Sequence, residues 1–331
     1  MNESIIHVVS KKAAEGGRIY SQSSYRKACI YYASIYQLPF CLFCLFCLLT
    51  KRKAKKVVFH EQYSLISLII SFLINLVLVR KHTLVYDMHD LVEIRNYPKL
   101  RTKFLSIIFV VLEFLVLTVF RISVITVSES LSKAIKQRYR VTSYVVYNIP
   151  PKLAHKDSRE RKNYFDSSAL VYFGIIEPIR LDISTLEDVV SKGYRVDVYG
   201  YFSKNCEKHY KNDLEALITS SGGNFKGEYR PDNINFLENY AGVLMIFKTN
   251  SKNVKGCLPN KLFQSMRFKK QCVVSRDMLD AWELFSDCGS VVDKVDDLTG
   301  PDEVDWNCVN KKIADIEISS KKNFLEALGV D

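Results

Sequence analysis

Short apolar runs alternate along the chain with longer stretches in which apolar residues recur at helical spacing. This alternation predicts parallel sheets covered on both faces, an α/β protein. In the first half the runs predict strands over 5–9, 57–60, 83–86, 124–127 and 144–147. Asn148-Ile149-Pro150-Pro151 and the polar, charged stretch 152–162 have the composition of a linker. The pattern then restarts, with strands expected over 170–173, 195–199, 243–247, 272–275 and 290–292 and a closing amphipathic helix over 311–328. The expected organisation is two doubly wound Rossmann-like domains, 1–150 and 166–331, joined by a linker over 151–165 and facing a cleft. In such sheets ligands bind beyond the carboxyl ends of the strands.

Three apolar runs stand out in the first half, over 40–49, 64–79 and 104–120. Each is shorter than the roughly 20 residues that span a bilayer, and the longest contains Glu113. They read as buried or interfacial segments. For 64–79 the core reading is the stronger, whereas for 40–49 core and membrane surface stand even.

Composition sharpens this picture. With 331 residues and 48% hydrophobic content, the chain can build two cores and is not a disordered protein. The net charge of +11 is unevenly divided, with residues 1–162 at +16 and 163–331 at −5. A basic half suits nucleic acid, an anionic membrane or a phosphorylated substrate. Because Lys51-Arg52-Lys53-Ala54-Lys55-Lys56 directly follows the first apolar run, docking on an anionic leaflet is favoured. Aromatics interleaved with the basic residues are not evident, which weighs against nucleic acid. Cys41, Cys44 and Cys47 have zinc-ligand spacing, but they belong to a Phe-Cys-Leu triplet repeat with no second ligand pair nearby. The other cysteines are scattered, as expected of reduced thiols in a cytoplasmic protein. Residues 1–10 lack the basic start and long apolar core of a secretory signal.

The most informative stretch is Leu258-Pro259-Asn260-Lys261-Leu262-Phe263-Gln264-Ser265-Met266, followed by Lys270-Gln271-Cys272-Val273-Val274-Ser275. It reads as a loop, a helix start and a buried strand, which places a lysine and two amides at the mouth of a parallel sheet. Proline presets the first turn, and the N–H groups there favour an anion such as a diphosphate. The stretch resembles the Pro-Asn-Lys-Leu-Phe-Glu-Tyr-Met segment of family 4 glycosyltransferases that build bacterial surface polysaccharides. Upstream, His82-Thr83-Leu84-Val85-Tyr86-Asp87-Met88-His89-Asp90 is similar to a strand of that family ending in Asp-x-His-Asp. Between them, in the family's order, lie Val124-Ile125-Thr126-Val127-Ser128-Glu129-Ser130, Val145-Val146-Tyr147-Asn148 and Leu170-Val171-Tyr172-Phe173-Gly174. Together the matches cover roughly residues 80–275.

The resemblance implies a GT-B fold, a nucleotide-sugar donor and retention of anomeric configuration. Transfer from such a donor requires stabilisation of the charge growing on the leaving diphosphate, by a metal or by fixed cations and helix N-termini. Metal-dependent transferases use an Asp-x-Asp pair, which this sequence lacks, so no metal or cofactor is expected. The resemblance puts Lys261 beside the donor phosphates, and Asn260 in the segment that lies against the donor nucleotide. Arg180 is a second cation, in Gly174-Ile175-Ile176-Glu177-Pro178-Ile179-Arg180, where a strand is expected to end at Gly174. Gly200, closing the predicted strand Val196-Asp197-Val198-Tyr199, and Gly227-Glu228-Tyr229 resemble loops that line the family's base pocket. His89 at a strand tip is the candidate for contact with the sugar or the reacting oxygen, and Asp90 and Asp87 are expected to hold it or to cap the next helix. Gly16-Gly17-Arg18 is either a phosphate or acceptor loop or a plain strand-to-helix turn.

Gln264 departs from the family, whose glutamate there accepts hydrogen bonds from the ribose. A second family glutamate falls at Gly256. The expected function is sugar transfer to a growing, lipid-linked bacterial polysaccharide such as capsule or O-antigen, at the cytoplasmic face of the membrane. The alternatives are a catalytically inactive nucleotide-sugar-binding subunit of a membrane transferase complex, which the two departures favour, and a nucleotide-sugar epimerase of the same architecture.

Overall fold

The structure, a computed structural model, describes residues 5–10, 26–32, 55–77, 82–91, 100–150, 166–204, 206–230, 233–247, 254 and 256–330. The chain divides into two compact units, Met1–Ile149 with Ile316–Asp331, and Pro150–Asp315.

In the first unit, strands β1 (Ile5–Ser10), β2 (Arg26–Tyr32), β3 (Lys56–His60), β4 (Thr83–Met88), β5 (Ser123–Thr126) and β6 (Tyr144–Val145) form one parallel sheet in the order β2-β1-β3-β4-β5-β6. Helices α1 (Leu65–Val77), α2 (Leu100–Phe114, continued by a π-helical turn at Leu115–Val119) and α3 (Glu129–Tyr139) belong to this unit. Side chains alternate across a strand. Val57, Phe59, Leu84, Tyr86, Met88 and Val124 therefore share one buried face with Leu65, Leu68, Phe109, Val116 and Leu131 of the helical segments. The intervening Val58, Val85 and Ile125 share the opposite face with Ile5, Phe324, Ala327 and Leu328.

Local chemistry fixes the helix ends. Ser128 caps α3 by accepting from the backbone N–H of Leu131 at 3.3 Å, and Arg140 closes it in the left-handed region at φ 58°. Glu129 in the first turn and Lys136 and Arg138 in the last suit the helix dipole. Glu113, fully buried on α2, accepts from the Tyr139 hydroxyl at 2.6 Å, so the acid within the longest apolar run serves the interior. Among the described residues, no helix is long and apolar enough to cross a membrane.

The second unit holds β7 (Asp166–Ile176), β8 (Arg195–Phe202), β9 (Phe225–Gly227), β10 (Tyr240–Met245), β11 (Gln271–Val274) and β12 (Val291–Val292), a parallel sheet in the order β12-β11-β10-β7-β8-β9. Its helices are α4 (Ile183–Ser191), α5 (Lys208–Ser220), α6 (Asn260–Arg267) and α7 (Leu279–Phe285), and α8 (Trp306–Ala327) starts here and ends on the first unit.

Four expectations change. The closing helix does not belong wholly to the second domain, because Phe324, Ala327 and Leu328 bury themselves against Ile5, Val58 and Val85. Cys288 and Cys308 form a disulfide rather than free thiols; a 3-10 turn and the start of α8 bring their Cα atoms to 5.7 Å, within bridging reach. Gly174 and Gly200 do not end their strands, which run on to Ile176 and Phe202 in continuous register. The edge strands β2 and β9 were not predicted. The linker 151–165, the triplet repeat 40–48 and Gly16-Gly17-Arg18 lie outside the described residues.

Candidate functional site

The second unit gathers its candidate chemistry at the carboxyl end of β7. Helix α6 begins after Pro259, and Lys261 lies in its first turn. The Lys261 ammonium sits 4.2 Å from the centre of the Tyr172 ring, which comes from β7 and is fully buried. It also lies 5.4 Å from the ring of Phe247, two residues beyond β10. Arg180, in the turn between β7 and α4, places its guanidinium 5.9 Å from that same ring, so one aromatic surface holds both cations. Glu177 accepts the Arg180 Nε–H at 2.5 Å.

The electrostatics follow from this crowding. Burial, and then the neighbouring Arg180, push the Lys261 ammonium down to about 7. For Arg180 burial opposes the charge, but the hydrogen bond and charge of Glu177 outweigh it and raise the guanidinium above its ordinary value. Cys272, behind Lys261 in β11, is pushed up to about 12 by burial. Like charges held on one apolar surface favour an anion between them.

Two glycines shape the floor. Gly174 and Gly200 pair directly across β7 and β8, with φ of 141° and 146°. A Cβ on Gly200 would lie 1.8 Å from the Gly174 carbonyl oxygen, so only glycine fits there. A Cβ on Gly174 would lie 3.9 Å from the Lys261 Nζ, an ordinary van der Waals contact, so it is the φ of 141° rather than lack of space that favours glycine there. Alongside, Tyr199 stacks on Phe236 with ring centres 3.9 Å apart, and Tyr229 meets Phe173 edge-on at 5.4 Å.

In the first unit the polar groups lie on β1, β3 and β4, with His60 and Asp87 near the carboxyl ends of their strands and His7 within β1. Asp87 Oδ2 accepts from His60 Nδ1 at 2.6 Å and from His89 Nε2 at 3.0 Å. His7 Nδ1 lies 2.9 Å from His60 Nε2. Burial alone would raise the Asp87 carboxyl, but His89 and His60 outweigh it and hold it well below the usual carboxylate range. His60, Asp87 and His89 are close enough to accept a metal ion. Their 2.6 and 3.0 Å separations, however, are hydrogen-bond distances. Tetrahedral zinc ligands, with bonds of roughly 2.0 Å, stand about 3.3 Å apart.

The structure thus brings Lys261, Arg180 and Gly174 together, with Gly200 paired to Gly174 and Asn260 beside Lys261 on α6. Gln264 is buried one turn further along α6, at 7% exposure. His89 is held by Asp87, whereas Asp90 is exposed at the tip. Sequence reasoning missed Tyr172 and Phe247 as the surface under the cations, and His60 and His7 behind Asp87. Tyr172 lies in a segment that matches the family but without a role there, no motif carries Phe247, and the signal for His60 and His7 was a histidine in an apolar strand run at each of two places.

The sequence matches no protein-family model and no curated protein. Solved structures do match the fold over nearly the whole chain. HepE of Anabaena, solved in complex with UDP, is 16% identical with a TM-score of 0.60, covering 98% of this chain and 95% of its own. A glycosyltransferase from Rickettsia africae is 12% identical with a TM-score of 0.55, covering 99% and 96%. WaaG, a glycosyltransferase involved in lipopolysaccharide biosynthesis, is 10% identical with a TM-score of 0.54, covering 99% and 93%. The chain has the fold of these glycosyltransferases, two parallel α/β sheets of the GT-B class.

Proposed function

We propose that the protein is a glycosyltransferase that moves a sugar from a nucleoside-diphosphate donor, with retention of configuration, to a lipid-linked saccharide of a bacterial surface polysaccharide. The observation that carries this reading is the placing of Lys261 and Arg180 around one aromatic ring at the end of β7. Two cations held around one ring suit a diphosphate, and they can stabilise the leaving group without a metal. The UDP bound to HepE supports a nucleotide donor. Stacked Tyr199 and Phe236 offer a flat apolar surface suited to a base.

The acceptor side of the proposal rests on the first unit. The exposed residues Phe104, Ile107, Ile108, Val111 and Phe114 recur at helical spacing on α2, and Leu73, Leu76 and Val77 are exposed on α1. This surface, in the half that carries +16, suits an anionic leaflet at the cytoplasmic face of the membrane. A second reading, a binding subunit without activity, is favoured by Gln264 and Gly256 in place of acids.

Labelled sugar from a panel of nucleotide sugars, incubated with the protein and membrane lipid extract in excess EDTA, tests the proposal. Transfer of label to lipid is expected. Donor binding without transfer under any condition supports the inactive subunit, and transfer that requires a divalent cation removes the metal-free mechanism.

A further inference from the structure

The disulfide of the second unit joins two segments that polar contacts also hold together. Cys288 ends the 3-10 turn Ser286–Cys288 that follows α7, and Cys308 lies in the first turn of α8. The Asp305 N–H donates to the Cys288 carbonyl at 3.1 Å, and Asp305 Oδ1 accepts from the Cys308 N–H at 2.9 Å. One turn further along α8, Lys312 Nζ donates to the Leu284 carbonyl at 2.8 Å and to the two Asp287 carboxylate oxygens at 2.6 and 2.7 Å. None of these contacts involves a sulfur. They flank the S–S bond on both sides, so they keep the two thiols neighbours when that bond is broken.

The two sulfurs differ in access. Cys288 is 3% exposed, whereas Cys308 is half-buried. A thiol or disulfide from solution therefore reaches Cys308 first. Between the two cysteines the chain forms β12, an edge strand of two residues, and two 3-10 turns, so no long ladder of backbone bonds holds it. A covalent tie across such a segment restrains it most when the start of α8 parts from the turn after α7.

We propose that Cys288 and Cys308 form a reversible thiol–disulfide clasp, in which Cys308 exchanges with small thiols and disulfides and Cys288 resolves the mixed disulfide. In the oxidising direction the Cys308 thiolate attacks a small disulfide such as oxidised glutathione, its S–S bond breaks, and one glutathione thiolate leaves. The Cys288 thiolate then attacks Cys308 Sγ and displaces the second. Two protein thiols are oxidised, one glutathione disulfide is reduced to two thiols, and the protons pass to the thiolates that leave. Reduction by glutathione runs the same steps backward. The transferase reading enters only through the compartment, because disulfides at the cytoplasmic face of a membrane are mostly transient or redox-sensing. The exchange chemistry rests on the two cysteines and their surroundings.

The test uses the full chain. Peptide mapping after alkylation is expected to show the Cys288–Cys308 bond lost in excess reduced glutathione and restored by oxidised glutathione. A bond that persists in excess reduced glutathione on the folded chain, or that does not return, overturns the proposal. Single variants assign the roles. Oxidised glutathione is expected to modify Cys308 in Cys288→Ser at least about tenfold faster than it modifies Cys288 in Cys308→Ser, and equal rates overturn the assignment. Hydrogen exchange reads the clasp itself. Amides over residues 289–309 are expected to exchange at least about tenfold faster in the reduced wild type and in Cys308→Ser than in the oxidised wild type. Equal rates in the two states of the wild type, which share one sequence and so do not depend on how a variant folds, overturn the proposal. If no sugar transfer is found with any donor, the transferase reading fails, and these three measurements still decide the clasp.

Discussion

Lys261 is a residue whose protonation is set by its burial and by the neighbouring Arg180. Its proton leaves near pH 7 in the folded chain and near 10.5 in the unfolded one, so between these values the unfolded chain binds more protons. The destabilisation is therefore complete below pH 7 and fades as pH rises toward 10.5. A diphosphate beside the ammonium restores the proton, so binding above pH 7 takes up protons, and affinity falls by up to about tenfold per pH unit. Calorimetry in buffers of different ionisation enthalpy should show this uptake in the wild type and not in Lys261→Arg. Equal proton uptake in both would place the titrating group elsewhere. Gln264 yields a second prediction: an amide accepts more weakly than a carboxylate, by about 1 to 2 kcal/mol for hydrogen bonds to charged groups. Gln264→Glu should tighten donor binding by several-fold to about thirtyfold, and unchanged or weaker affinity by titration would remove Gln264 from the ribose. Lys261 and His89 were legible because short motifs surround them. Tyr172, Phe247 and His60 were not, because their roles come from neighbours brought together by the sheets rather than from adjacent sequence.

At the scale of elements, α2 carries two apolar faces. Ser106, Phe109, Glu113 and Val116 point inward, while Phe104, Ile107, Ile108, Val111 and Phe114 are exposed. Periodicity showed an apolar run without telling these faces apart, since both are apolar and only packing selects the buried one. Ile107→Glu combined with Val111→Glu should lower partitioning onto vesicles of anionic lipid by at least about tenfold, given roughly 1.5 to 3 kcal/mol for each fully buried aliphatic side chain. The melting temperature should stay nearly unchanged, since exposed substitutions fall within about 0.5 kcal/mol. Undiminished vesicle binding would move the docking surface off this helix. Most strands were legible from their apolar runs. The edge strand β2 begins with Arg26 and Lys27, and β9 has only three residues, so neither shows the buried pattern of an inner strand. Gly174 and Gly200 read as breakers in sequence, yet they sit inside strands because two backbones meet there.

At the scale of the molecule, the first unit is discontinuous and the second is not. The Tyr147 N–H donates to the Ser320 hydroxyl at 3.0 Å, and Asn323 donates to the Val145 carbonyl at 2.8 Å. With Phe324, Ala327 and Leu328 these residues cover one face of the first sheet. A fragment of residues 150–315 is expected to unfold cooperatively in a thermal melt, whereas 1–149 alone should show no cooperative transition. A cooperative melt of 1–149 would mean that the returning segment contributes little. The alternation of runs and the linker composition located the change of unit near residue 150, but no local pattern reveals which sheet a terminal amphipathic helix will cover.

The return of the chain to its first sheet also sets an order in time. A ribosome delivers residues 1–149 before 150–315, yet the segment that packs on Val58 and Val85 follows the whole of 150–315. At roughly 5 to 20 residues per second the nascent sheet waits on the order of ten seconds or more without Phe324, Ala327 and Leu328 on that face. The second unit can close while it waits. The first unit thus completes its packing only after the second has been made.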